Sequence, residues 1–147
     1  MVNTIGKRQV ILMVVKNYLN QAYRIDQRIN SKLEQVQSLR ELASKATATL
    51  SDDRPKETRN FQRMEDIICK ILDLESEINS DIDKLVDLKR EIVKLIKSIP
   101  NTEHQTIFEL RYLCFKTWEQ IAVEMGYSLR WVHIVHSKAL NELDKQF

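Results

Sequence analysis

Residues 117–143 read TWEQIAVEMGYSLRWVHIVHSKALNEL, and the rest of the chain is arranged around them. Thr117 is a good helix N-cap, and Gln120 three residues later completes a T-x-x-Q capping box. Ile121, Ala122 and Met125 give the apolar stripe of a short helix. Gly126 falls where a helix ends with a positive φ angle. Tyr127 follows as a turn residue and Ser128 caps a second helix. There Val132, Val135, Ala139, Leu140 and Leu143 recur at helical spacing and are expected to face the core. A short helix, a glycine turn and a second capped helix form the pattern of a helix-turn-helix, whose second helix can enter a DNA major groove. The competing reading is a small helical corner with no nucleic-acid role.

Upstream of this stretch, Pro100 ends a long helix, because the residue before proline avoids helical torsions. Thr102 and Gln105 have capping-box spacing and open a helix expected to run to about Cys114. Its stripe is Ile107, Leu110, Leu113 and Cys114, flanked by Phe108 and Tyr112, with Trp118 or Phe115 closing one side of a three-helix unit.

Before Pro100 the pattern changes to heptads. From about Gln9 to Ser44, Val15, Ala22, Ile29, Val36 and Ala43 fall seven apart, and Tyr18, Ile25 and Leu39 fill the second seam position. Lys32 occupies a seam place, with Leu33 beside it expected to supply the apolar contact. At about 1.5 Å per residue this helix is roughly 50 Å long, and it cannot bury its stripe alone. Residues 46–60 lose the period and gather Thr, Ser, Asp and Pro55, the composition of a loop. A second heptad runs from Phe61 to Ile99, with Met64, Ile71, Ile78, Leu85, Ile92 and Ile99 in one position and Ile67, Leu74, Leu88 and Leu95 in the other. Asp81 takes the polar place. Two matched heptad helices predict an antiparallel hairpin. Leu33, Ile68, Leu72, Ile82, Val86, Val93 and Ile96 widen its stripe, which predicts pairing into a homodimeric bundle. The expected fold is therefore all-α: residues 1–99 form a long, coiled-coil-like antiparallel hairpin for oligomerisation, and residues 100–147 a helix-turn-helix unit.

Composition narrows the function. The 147 residues are 43% hydrophobic and 30% charged, with two glycines and two prolines, which favours a few long helices in a soluble protein. No run of eighteen apolar residues predicts a membrane span, and the apolar run after Lys7 and Arg8 is cut by Lys16 with no cleavage site, so export is not expected. Cys69 and Cys114, each in an apolar stripe, are expected to be reduced and buried, as in a cytoplasmic protein. Residues 1–50 hold eight basic and three acidic side chains, net +5; residues 101–147 hold five and six, net −1. The end with the helix-turn-helix is therefore not basic overall, which argues against strong autonomous DNA binding.

Catalytic chemistry finds no support. Glycines at positions 6 and 126 alone make no phosphate loop. His133 and His136 lack companion ligands for a metal, and Asp81, Asp83 and Asp87 read as a solvated helix face. Neither enzyme activity nor a cofactor is expected. The candidate DNA-binding residues are Lys116 and Thr117 for the backbone; Ser128 for a phosphate at the helix N-terminus; and Leu129, Arg130, Trp131, His133, Ile134 and Lys138 along the last helix. Trp131 and Ile134 suit either thymine methyls or a protein surface.

These residues carry a likeness. The run from Thr117 to Leu143 resembles region 4 of bacterial sigma factors through Ile121-Ala122, Met125-Gly126, Ser128, Val132 and Lys138-Ala139-Leu140. The blocks LRELASKATATLSD, IICKILDLESEI, LVDLKREI and LRYLCFKTWEQIAVEMGYS are similar to a family of small phage and prophage proteins of Gram-positive bacteria, arranged like phage late-gene regulators of the ArpU and RinA type. The resemblance implies a transcriptional regulator in the cytoplasm of a bacterial host cell, bound to double-stranded DNA, with RNA polymerase as a candidate second partner. It places sigma-like contacts on Leu129, Arg130, Trp131, His133 and Ile134. Leu129, Trp131 and Ile134 depart from the polar or basic residues typical of sigma factors, and the promoter-melting region is missing. Two alternatives are a protein-interaction module for RNA polymerase, a repressor or another host factor, and a small-terminase-like DNA-packaging protein.

Overall fold

The computed structural model describes residues 4–48 and 54–145. These form five helices: α1 (Thr4–Ala48), α2 (Arg54–Lys97), α3 (Thr102–Tyr112), α4 (Trp118–Met125) and α5 (Leu129–Asp144). No strand occurs among the described residues.

The expected loop at 46–60 is shorter than its composition suggested. Helix α1 runs on through Ala48, and α2 begins at Arg54; residues 49–53 of that loop lie outside the described residues. Thr47 does not break α1, because its hydroxyl donates to the carbonyls of Ala43 (3.1 Å) and Ser44 (2.8 Å). Pro55 falls in the first turn of α2, where a missing N–H removes no helical hydrogen bond.

Two compact units emerge. The first takes in the described parts of Met1–Arg24 and Leu85–Phe147; the second is Ile25–Lys84.

In the second unit α1 and α2 lie antiparallel: Lys32 meets Asp81, and further along α1 Arg40 meets Glu75, earlier on α2. Ile29, Val36 and Ile78 are buried in the seam. Where the seam turns polar, Leu33 does not substitute for Lys32. Leu33 is exposed, and the Lys32 ammonium reaches Asp81 at 2.6 Å and Glu77 at 3.4 Å. Asp81 is buried, unlike the solvated face expected for it, whereas Asp83 and Asp87 are exposed. The Lys32 hydrogen bond is the main reason the Asp81 carboxyl sits below the usual carboxylate range. Cys69 is exposed rather than buried.

The first unit holds two apolar clusters. Val15, Leu19 and Ala22 of α1 and Ile92, Ile96 and Ile99 near the end of α2 pack with Phe108, Tyr112, Ala139, Leu140 and Leu143. Ile107, Ile121, Ala122, Val132 and Val135 form the second, with Leu110, Trp118, Met125 and Tyr127 around it. Helix α5 is therefore buried on two sides, its first half against α3 and α4 and its second half against the long helices. Phe108 and Tyr112, expected at the flank of α3, are core residues, while Cys114, expected in the stripe, is exposed. The physical reason is that the helix stops at Tyr112, so Cys114 lies past its end.

Candidate nucleic-acid interface

Helix α3 starts one residue earlier than its capping-box spacing suggested. The Asn101 side chain accepts hydrogen bonds from the backbone of Glu103 (2.8 Å) and His104 (3.5 Å). Gln105 does not close a box with Thr102; its amide donates to the carbonyl of Ile99 at 2.6 Å and so ties the end of α2 to α3. The chain leaves α3 through Phe115, a non-glycine residue in the left-handed region (φ 58°). Arg111 reaches forward over this turn, donating to the carbonyl of Lys116 at 3.0 Å with its guanidinium 4.4 Å from the Trp118 ring.

The turn that orients α5 follows the sequence closely. Thr117 Oγ1 accepts from the Gln120 N–H (3.2 Å), and Gln120 Oε1 accepts from the Thr117 N–H (2.9 Å), a complete capping box. Gly126 takes φ 69°, ψ 29°, and the Tyr127 N–H closes back on the Ala122 carbonyl at 2.9 Å. Tyr127 is fixed from its far end as well, its hydroxyl donating to Glu103 Oε2 at 2.8 Å. Ser128 then caps α5, accepting from the Trp131 N–H at 3.2 Å.

With α5 so placed, its two faces separate. Val132, Val135, His136, Ala139, Leu140 and Leu143 are buried. Leu129, Arg130, Trp131, His133, Ile134 and Lys138 are exposed, together with Ser137 and Asn141. Arg130, His133, Ile134, Ser137, Lys138 and Asn141 line one shallow groove along the helix. Of the expected residues of α5, Arg130, His133, Ile134 and Lys138 therefore share one open flank, about 16 Å from Arg130 to Asn141 at helical rise, while Leu129 and Trp131 are exposed outside that groove.

Residues 101–145 match the family model for sigma-70, region 4. This stretch is a helix-turn-helix of the DNA-binding type. No curated protein and no solved structure matches the chain. The matched stretch starts at the Asn101 cap and takes in α3, α4 and α5, so all nine candidate residues fall inside it.

Within the domain the cations are not equivalent. Lys116 is half-buried and ion-paired with Glu124. Arg111 is held by Trp118 and the Lys116 carbonyl. Arg130 has no ion pair among the described residues, and the Lys138 ammonium lies 5.6 Å from the Trp131 ring centroid, within cation–π range. Thr117 and Ser128 spend their side-chain oxygens on their own caps.

Three contributors were not singled out as site residues from the sequence: Trp118, Arg111 and His136. The Trp118 ring lies 5.1 Å from His133 and 4.6 Å from His136, so the exposed His133 rests against a ring that Arg111 holds from the other helix. His136 is buried, stacked on Phe108 at 5.1 Å, and meets the Tyr112 hydroxyl at 2.5 Å. Burial pushes its imidazole down to about 3, helped by the nearby positive charges of Lys16 and Arg111. His133 and His136 thus do not act together. Among the described residues no group of three His, Cys, Asp or Glu side chains is placed to hold a metal ion, and no helix is long and apolar enough to cross a membrane.

Proposed function

We propose that the protein is a DNA-binding transcriptional regulator of phage or prophage type that docks α5 in a DNA major groove. The observation that carries this reading is the division of α5. A Ser128-capped N-terminus and an open flank of Arg130, His133, Ile134, Ser137, Lys138 and Asn141 stand on a face sealed by two apolar clusters. A rigidly seated helix with its N-terminal half uncovered is what major-groove reading requires. Arg130, near the N-terminus, suits bidentate recognition of guanine, and His133 and Asn141 suit hydrogen bonds to base edges. The phage assignment rests on the sequence blocks of the long helices and of residues 110–128, and RNA polymerase is a natural second partner for a region 4-like domain.

A second reading draws on Leu129, Trp131 and Ile134, which are exposed on the same helix. They favour a protein-interaction module that uses α5 to grip a host factor rather than a duplex.

One experiment separates the two. Duplexes selected by the protein from a random pool are titrated by fluorescence anisotropy at two salt concentrations, with wild type and Arg130→Ala. Direct reading predicts salt-dependent binding that Arg130→Ala weakens by about 1–3 kcal/mol if Arg130 reads a base. Absence of any salt-dependent binding by the wild type overturns the DNA reading.

A further inference from the structure

The Ile25–Lys84 unit has two flanks beside its seam, and they differ in kind. On one, Ser31, Glu34 and Ser38 of α1 meet Lys70, Asp73 and Glu77 of α2 around a shallow depression; Leu42 is the one large exposed apolar side chain on that side among the described residues. On the other, Leu33, Val36 and Arg40 of α1 meet Glu75, Ile78 and Asn79 of α2 in a second groove. Leu33 in that groove, and Phe61, Ile68, Leu72 and Ile82 along α2, are between 41% and 72% exposed. Phe61, Ile68 and Ile82 keep one heptad position on α2, with Glu75 in the place between them, and Leu72 stands one turn along from Ile68. A solvated two-helix hairpin has no use for a second heptad stripe outside its own seam.

We infer that this flank is a homotypic interface, on which a second copy of the chain lays the same flank to build a four-helix bundle. Two features select a second copy over other occupants. The charged groups at the centre of the face, Arg40 and Glu75, bond each other at 3.0 Å. The centre is therefore neutral, and it offers nothing to a polyanion or to a strongly charged peptide. An identical face brought up by a twofold axis meets a neutral pair at its centre, where each exposed Arg40 can also reach the mate's Glu75; the other acid on the stripe, Glu65, lies toward its Phe61 end, away from that centre. The size also fits. From Phe61 to Ile82 the stripe is about 32 Å long, and two helices side by side are about 20 Å wide. That gives on the order of 600 Å² per copy, close to the roughly 800 Å² per partner of stable complexes.

The test needs no DNA, so its failure is distinct from failure of the regulatory reading. The full chain is weighed in solution by light scattering coupled to gel filtration, alongside Ile68→Glu/Leu72→Glu and, on the polar flank, Lys70→Glu. The expected result is twice the chain mass for wild type and Lys70→Glu, and a single chain mass for the double variant with its helical circular dichroism retained. A monomeric wild type, or a double variant still at twice the mass, overturns the inference. If the double variant loses helicity, Leu72→Gln, at a position already open to water, replaces it. Its dimer dissociation constant must then rise at least tenfold, and an unchanged constant counts against the interface.

Discussion

The Tyr112 hydroxyl and Nε2 of His136 share a hydrogen bond of 2.5 Å across the junction of α3 with α5, and both side chains are buried. Burial pushes the tyrosine hydroxyl far up and the imidazole down to about 3, so the phenol keeps its proton and the imidazole stays neutral. This bond pins the helix that carries the open flank to the helix before it. Tyr112→Phe removes the hydroxyl but leaves Nε2 buried and unpaired, which is expected to cost about 1–3 kcal/mol of stability in urea at neutral pH.

The same pair sets a pH dependence. His136 has a folded value of about 3, against 6.5 for the free side chain, so between those values the unfolded chain binds the extra proton. Stability from this group is complete above the unfolded value and is lost as pH falls, at up to about 1.4 kcal/mol per pH unit. Urea midpoints from pH 7 to pH 4 should fall more steeply for wild type than for Tyr112→Phe/His136→Phe, which exchanges both partners for apolar rings. Parallel profiles would show that His136 takes a proton in the folded state.

Much of this architecture is legible in the residues. The heptads anticipate the buried Ile29, Val36, Ile78 and Ile92, and Thr117, Gly126 and Ser128 give both ends of α4 and the start of α5 to the residue, because cap chemistry is local. What escapes notice is what depends on a partner far away in sequence. Lys32 and Asp81 are each recognisable as a polar seam residue, but only the antiparallel register turns two misfits into one ion pair. His136 passes for a metal candidate beside His133 until Tyr112 and Phe108 close around it. Asn101 outcompetes Thr102 as the cap of α3 because the helix starts right after it, which spacing alone does not separate. The open flank of α5 can be read from periodicity; that Trp118 and Arg111 support His133 cannot.

The α4–α5 turn gives a second stability test. Thr117→Ala deletes one half of the capping box and is expected to cost about 1 kcal/mol. At Gly126 an added Cβ meets nothing within 4 Å, so the penalty of Gly126→Ala comes from its φ of +69°. That penalty is about 1–2 kcal/mol and smaller for Asn, which tolerates the left-handed region. Urea midpoints should therefore rank Gly126 above Asn above Ala. An alanine variant as stable as wild type would mean that the turn relaxes to another geometry.

The Lys32–Asp81 pair predicts asymmetric mutational behaviour. The hydrogen bond to Asp81 raises Lys32, and that to Lys32 lowers Asp81. The aspartate's contribution holds above the unfolded carboxylate value and disappears as pH falls below it; the lysine's disappears only in strong alkali. The pair is thus intact at neutral pH. Asp81→Ala leaves Lys32 only the exposed, more distant Glu77 and should lower the melting temperature. Lys32→Leu/Asp81→Leu should restore or raise it, because two apolar seam residues need no compensation for desolvation. Thermal scans by circular dichroism decide; a double variant less stable than the single one would assign the pair a net stabilising role.

The last prediction concerns which cations reach a duplex. Lys116 and Lys138 have the same formal charge within the matched domain, yet Lys116 is engaged by Glu124 while Lys138 lies over Trp131 on the open flank. A cation already paired releases few counterions when DNA approaches, whereas an unpaired one contributes a full phosphate contact. Lys138→Ala should lower the slope of log affinity against log salt by about one, uniformly across sequences, and Lys116→Ala should change it much less. Arg130→Ala should behave differently from both, narrowing the gap between selected and unrelated duplexes by about 1–3 kcal/mol at a fixed salt. Anisotropy titrations of the three variants at several salt concentrations separate these patterns. Equal slopes for Lys116→Ala and Lys138→Ala would mean that Glu124 releases its lysine on binding, and that the duplex spans α4 as well as α5.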